Sequence, residues 1–117
     1  MRDSVTDLKS ILNDPALLET RGYVAGEWIE ADDGASFDVT NPARGDVIAQ
    51  VADLSRTEVA RAIDAAESAR HAWAARTAKD RAGVLRRMHD LMMAHADDLA
   101  TILTAEMGKP LAEARGE

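Results

Sequence analysis

Two hydrophobic rhythms divide this chain. Between residues 23 and 51 the apolar positions come in short runs and alternations. Tyr23-Val24-Ala25 and Glu27-Trp28-Ile29 flank Gly26, Phe37 and Val39 alternate with Asp38 and Thr40, and Val47-Ile48 and Val51 follow. A two-residue period sets alternate side chains on one face of a strand. Turn chemistry separates the runs: Asp32-Asp33-Gly34, then Asn41-Pro42-Ala43-Arg44-Gly45, where proline presets φ and glycine is free to take positive φ. This part of the chain predicts a small antiparallel meander.

After Asp53 the period becomes helical. Ser55-Arg56-Thr57-Glu58 has the form of a capping box, with Ser55 placed to accept from the Glu58 amide. Val59, Ala62, Ile63, Ala66, Ala69 and Trp73 follow at intervals of three and four. A second start at Thr77-Ala78-Lys79-Asp80 leads into Val84, Leu85, Met88, Leu91, Met92, His95, Leu99, Ile102, Leu103 and Met107. One helix over 78–107 is long for a globular domain, and Asp97-Asp98 suits the first turn of a new segment, which predicts a break near Ala96. Gly108 fits the left-handed position beyond a helix end. Pro110 fits the first position of a third helix for which the sequence shows no stop. At the other end, Val5, Leu8, Ile11 and Leu12 fit one helical face that Asn13-Asp14-Pro15 terminates, so residues 1–21 are expected to form a loosely attached arm.

Composition narrows what these elements can do. The 117 residues suffice for one small domain with a modest core. Hydrophobic residues make up 46% and charged residues 30%, a globular balance, but aromatics are only 3%, so few large side chains carry the packing. Fourteen basic against twenty-one acidic residues give a charge of −7, which opposes nucleic-acid binding. No stretch has the roughly twenty apolar residues of a membrane span. Charges interrupt the N-terminus where a secretory signal needs an apolar run, so a cytoplasmic location is expected. Cysteine is absent, which removes disulfides, thiolate catalysis and cysteine zinc sites together.

The remaining candidates for chemistry are few. Gly108-Lys109-Pro110 superficially resembles part of a phosphate loop. That loop needs a glycine five residues before the glycine–lysine pair and a hydroxyl after it; here those positions hold Leu103 and Pro110. The seven glycines contain no GxGxxG. His71, His89 and His95 are the groups that titrate near neutrality, and the six-residue spacing of His89 and His95 keeps them from sharing one metal on one helix. Asp32-Asp33 and Asp97-Asp98 are explained by turn and helix-start roles, and Met88, Met92 and Met93 by core filling. No residue is assigned a catalytic, cofactor-binding or metal-binding role on these grounds.

Three stretches together resemble the aldehyde dehydrogenase superfamily: YVAGEWIEA with FDVTNPARGDVIAQV, the helix pair closing in Glu106-Met107-Gly108-Lys109-Pro110, and LMMAHADDLATILTAEMGKPLAEARGE. The last is most similar to the succinate-semialdehyde dehydrogenase branch; another branch of the superfamily is the nearby alternative. The similarity runs over about residues 15–117 and includes no catalytic motif. It implies an α/β parent enzyme of which this chain is an α+β portion, a short meander followed by two to three helices from the outer layer of the cofactor-binding domain. Residues 1–21 would be the arm, and 22–117 the truncated N-terminal part of that domain.

The resemblance also implies an activity. The parent would oxidise succinate semialdehyde, or a related aldehyde, to the carboxylate with NAD or NADP. A cysteine thiolate would be the nucleophile and a glutamate would activate the hydrolytic water. Both lie C-terminal to this segment in the family, as do the dinucleotide contacts, so the segment alone is expected to be inactive and to bind no cofactor. Some members hold a structural alkali cation through positions matching Thr40 and Glu106, the glutamate being longer than the aspartate found in some relatives. The expected partners are the remainder of the enzyme chain and, in the parent, further copies of it, with no nucleic acid and no membrane. The rival reading is a stand-alone helical interaction module that binds a partner helix through the stripe from Leu85 to Met107.

Overall fold

In a computed structural model that describes residues 7–117, four short strands precede four helices. The strands are β1 (Gly22–Val24), β2 (Glu27–Ile29), β3 (Ser36–Thr40) and β4 (Val47–Ala52). The helices are α1 (Arg56–Ala75), α2 (Ala78–Ala94), α3 (Ala96–Met107) and α4 (Leu111–Ala114). The chain is thus α+β, as expected. The strands pair as two separate two-stranded sheets, β1–β2 and β3–β4, and no ladder joins β2 to β3 as one continuous meander would require. The linker between them is held elsewhere: Asp33 accepts from the Ala35 amide, and the Asp32 amide donates to the Glu58 carboxylate.

Internal contacts divide the chain into two units. The first contains the described residues up to Thr20, Ser36–Val51 and His95–Glu117. Its apolar centre is formed by Leu8, Leu12, Leu18 and Ile48, with Val39, Ile102 and Ala105 packed against it. This corrects the loosely attached arm. Leu8 is only 2% exposed, and full burial of one leucine is worth roughly 1.5–3 kcal/mol. Nor is the segment one amphipathic α-helix. Two short 3-10 turns, Leu8–Ile11 and Pro15–Leu17, flank an extended Leu12, and Ile11 stays 61% exposed because no second helical turn completes the face. Val5, the first member of the predicted face, lies outside the described residues.

The β3–β4 connection is built from its turn residues. Asn41 Oδ1 accepts from the Ala43 amide, the Gly45 amide donates to the Asn41 carbonyl, and the Asn41 amide donates to the Asp46 carbonyl. At the far end of α3, Gly108 has φ of 78° and donates to the Thr104 carbonyl, the left-handed cap its position suggested. Pro110 precedes α4 rather than starting it. The helix covers Leu111–Ala114, with Arg115 still in helical conformation and Ala114 buried, and α4 packs on α3.

The second unit contains Arg21–Ala35 and Ala52–Ala94. Its hairpin turns at Ala25 and Gly26, both with positive φ, and places Tyr23 opposite Trp28 with ring centroids 4.9 Å apart in an edge-on arrangement. Gly22 lies close to Leu54: a Cβ there would be 2.5 Å from Leu54 Cδ1, so a larger residue needs that side chain to shift. The predicted break between α2 and α3 falls at His95, one residue from its expected place. The apolar lines of α1 and α2 occur where their periods put them, but Val59, Ile63, Leu85, Met88, Leu91 and Met92 are exposed rather than core.

Candidate functional site

Two buried carboxylates organise the chain, one in each unit. Glu58 is 1% exposed. It sits in the first turn of α1, and its carboxylate accepts from the Ser55 amide (2.9 Å), the Ser55 hydroxyl and the Asp32 amide (2.7 Å). The capping box explains the Ser55 contacts; the Asp32 contact extends that local motif across 26 residues to the strand linker. The Ser55 hydroxyl, followed by the Asp32 amide, holds the Glu58 carboxyl down at about 2, against an ordinary value of 4.5. Beside it, Arg61 grips Asp32 with two bonds of 2.7 and 2.9 Å, an exposed ion pair open to screening by salt.

Asp98 is the counterpart in the first unit, 4% exposed. One carboxylate oxygen accepts from the Asn13 amide (2.9 Å) and the Asn13 side chain (3.1 Å), and the other from the Asp14 amide (2.8 Å). The Asn13 amide, then that of Asp14, lowers its pKa. The sequence showed Asp98 only as an acid suited to a helix start; nothing local announces a partner 85 residues away. Neither carboxylate is arranged for proton transfer, since every named bond stabilises the ionised form, and backbone amides supply at least two of the donors to each.

The three histidines lie on separate elements. His71 and His89 lie on the exposed surfaces of α1 and α2 beside Glu67 and Asp90, and His95 sits at the α2–α3 junction. Among the described residues no group of three or more histidines or acids is placed to hold a metal ion. Thr40 ends β3 and Glu106 lies in the last turn of α3, both exposed. Lys109 pairs with Glu117, and Gly108 serves as a helix cap, so this pair is structural. An open recess over the β3–β4 hairpin is lined by Asp38, Val47, Ile48, Ala49 and Gln50, and its two polar side chains bond each other at 3.0 Å.

At the starts of α1 and α3 the residues present do not fit a dinucleotide phosphate. Phosphates favour the free amides of a helix N-terminus. The start of α1 is filled by the Ser55 and Glu58 side chains, and that of α3 carries Asp97 and Asp98. No helix among the described residues is long and apolar enough to cross a membrane.

Known proteins supply the context. Residues 28–117 match the aldehyde dehydrogenase family. Over 106 residues the chain is 51% identical to succinate-semialdehyde dehydrogenase (NADP+) of Escherichia coli, and 50% identical to glutarate-semialdehyde dehydrogenase of Pseudomonas putida. Each alignment covers 91% of this chain and 22% of the relative. The crystal structure of an aldehyde dehydrogenase from Brucella melitensis biovar abortus superposes with a TM-score of 0.88 at 55% identity, again over 91% of this chain and 22% of that one. The chain therefore spans about 22% of the length of the curated relatives it matches. With the match extending from β2 through all four helices, the chain belongs to the aldehyde dehydrogenase family.

Proposed function

We propose that these residues are the N-terminal segment of an oxidoreductase that converts succinate semialdehyde, or a related aldehyde, to its carboxylate with NAD or NADP. The observation that carries this reading is the 51% identity over 106 residues to the Escherichia coli succinate-semialdehyde dehydrogenase (NADP+). The similar identities to a glutarate-semialdehyde dehydrogenase and, at 48%, to a 3-sulfolactaldehyde dehydrogenase widen the substrate class to aldehydes that also bear an anionic group. Residues 22–117 form the first part of the cofactor-binding domain, preceded by the segment 1–21. The parent is cytoplasmic and homo-oligomeric, and the segment's partner is the rest of the enzyme chain.

The role assigned to the segment is scaffolding. With no cysteine, it holds no thiolate to attack an aldehyde, and its buried carboxylates are committed to backbone amides. No catalytic, cofactor-binding or metal-binding role is assigned to any of its residues. The purified chain incubated with succinate semialdehyde and NAD or NADP is expected to produce no reduced nicotinamide. Turnover would refute the reading.

A further inference from the structure

We propose that the Asp33–Gly34 peptide is a modification site, where Asp33 isomerises to isoaspartate and so becomes an acceptor for methyl transfer from S-adenosylmethionine. The same change loosens the tie between the strand linker and α1. Asp33-Gly34 is the one Asp-Gly or Asn-Gly pair in the chain. Glycine matters here because no side chain shields its nitrogen, and nothing lies within 4 Å of where a Cβ on Gly34 would stand. Both residues are exposed. Asp33 Oδ1 accepts from the Ala35 amide at 2.9 Å, which folds the carboxyl over the peptide that follows it. The neighbouring Asp32 is held differently, with Arg61 on both its oxygens and Asp33 rather than glycine after it.

The step needs no oxidant or reductant. The Gly34 nitrogen adds to Cγ of the protonated Asp33 carboxyl; a C–N bond forms, and the amide proton leaves with the carboxyl hydroxyl as water. Water then opens the cyclic imide. Addition at Cγ restores aspartate. Addition at the backbone carbonyl breaks its bond to the Gly34 nitrogen and leaves the chain running through Cγ, with the β-methylene now in the main chain. One contact opposes the step: the Gly34 amide donates to the Ala31 carbonyl at 2.9 Å and must release it. That bond closes an exposed turn, where local opening is easiest. The added methylene falls between two anchors, the Asp32 amide on the Glu58 carboxylate at 2.7 Å and the Asp53 amide on the Ala35 carbonyl at 2.9 Å, so these contacts must shift.

The test ages the purified chain in neutral buffer beside an unaged sample and digests both with trypsin. The Gly22–Arg44 peptide is then read by electron-transfer fragmentation and by labelling with isoaspartyl methyltransferase and S-adenosylmethionine. The expected result is isoaspartate at residue 33 at least about tenfold above residue 38, where the β-branched Val39 crowds the nitrogen. Asp33→Glu should abolish the methyl label and Asp38→Glu should leave it unchanged. In the isomerised fraction, amide exchange at Asp32 and Asp53 should be faster than in the unmodified chain. A folded chain that forms no isoaspartate at residue 33 overturns the site; if the free peptide 28–38 forms it under the same conditions, the hydrogen bonds of the turn are what protect it. Isomerisation with unchanged exchange at Asp32 and Asp53 overturns the loosening.

Discussion

Asp98 and Asn13 are joined twice: one carboxylate oxygen of Asp98 accepts both the backbone amide and the side-chain nitrogen of Asn13, at 2.9 and 3.1 Å. With the Asp14 amide on the other oxygen, one side chain of α3 holds the turn between the two 3-10 segments. Removing it leaves three donors without their acceptor, which costs more than the bonds themselves contribute. Asp98→Ala is therefore expected to lower the melting temperature and to speed amide exchange over residues 8–18. Asp97→Ala removes only an exposed pair with Arg115 and should leave exchange in that segment unchanged.

Acid should weaken both units. The folded-state pKa values of Glu58 and Asp98 lie below their ordinary values, so the unfolded chain binds more protons as the pH falls. Their stabilisation is fully present above the unfolded values of 4.5 and 3.8, and for Glu58 it is lost as the pH drops through about 2. Melting temperature should fall across that interval, and the slope should flatten when Glu58→Gln and Asp98→Asn are combined. An unchanged slope in the double variant would assign the acid sensitivity to other groups.

The N-terminal segment should behave as core. Leu8→Ala is expected to cost about 2–5 kcal/mol in urea denaturation, the usual loss for a buried leucine. Ile11→Ala, three positions away but exposed, should change stability by no more than about 0.5 kcal/mol. Equal effects would mean that the packing around Leu8 is not maintained in solution.

Glycine substitutions should split in sign. At Gly108 an added Cβ must adopt left-handed backbone and lies 3.1 Å from Pro42 Cγ, so Gly108→Ala should cost about 1–2 kcal/mol. Gly83 lies inside α2, where a Cβ meets only Arg87 Nη1 at 3.8 Å, so Gly83→Ala should stabilise by roughly 0.5–1 kcal/mol. Thermal melts of the two variants check both signs.

What the sequence made legible was local. The Ser55–Glu58 box, the Gly108 cap, the strand positions and the interruption beside Ala96 each depend on residues within a few positions of one another, and each has a counterpart in the structure. Glu58–Asp32, Asp98–Asn13 and the burial of Leu8 and Leu12 depend on residues brought together from far along the chain, for which no periodic signal exists. The apolar faces of α1 and α2 were legible as faces, but their exposure was not, because periodicity identifies a surface without saying what covers it. For the candidate site, the missing thiol was visible at once. The reaction class came from resemblance, since chemistry resides in a site and not in a fold.

The most direct measurement joins this chain to the part of the Escherichia coli enzyme that follows its matched stretch and follows NADP reduction with succinate semialdehyde. The joined enzyme should turn over while the chain alone gives neither reduced NADP nor an adduct visible by intact mass. A joined protein without activity beside an active Escherichia coli control, or an aldehyde adduct formed on the chain alone in step with NADP reduction, would contradict the account.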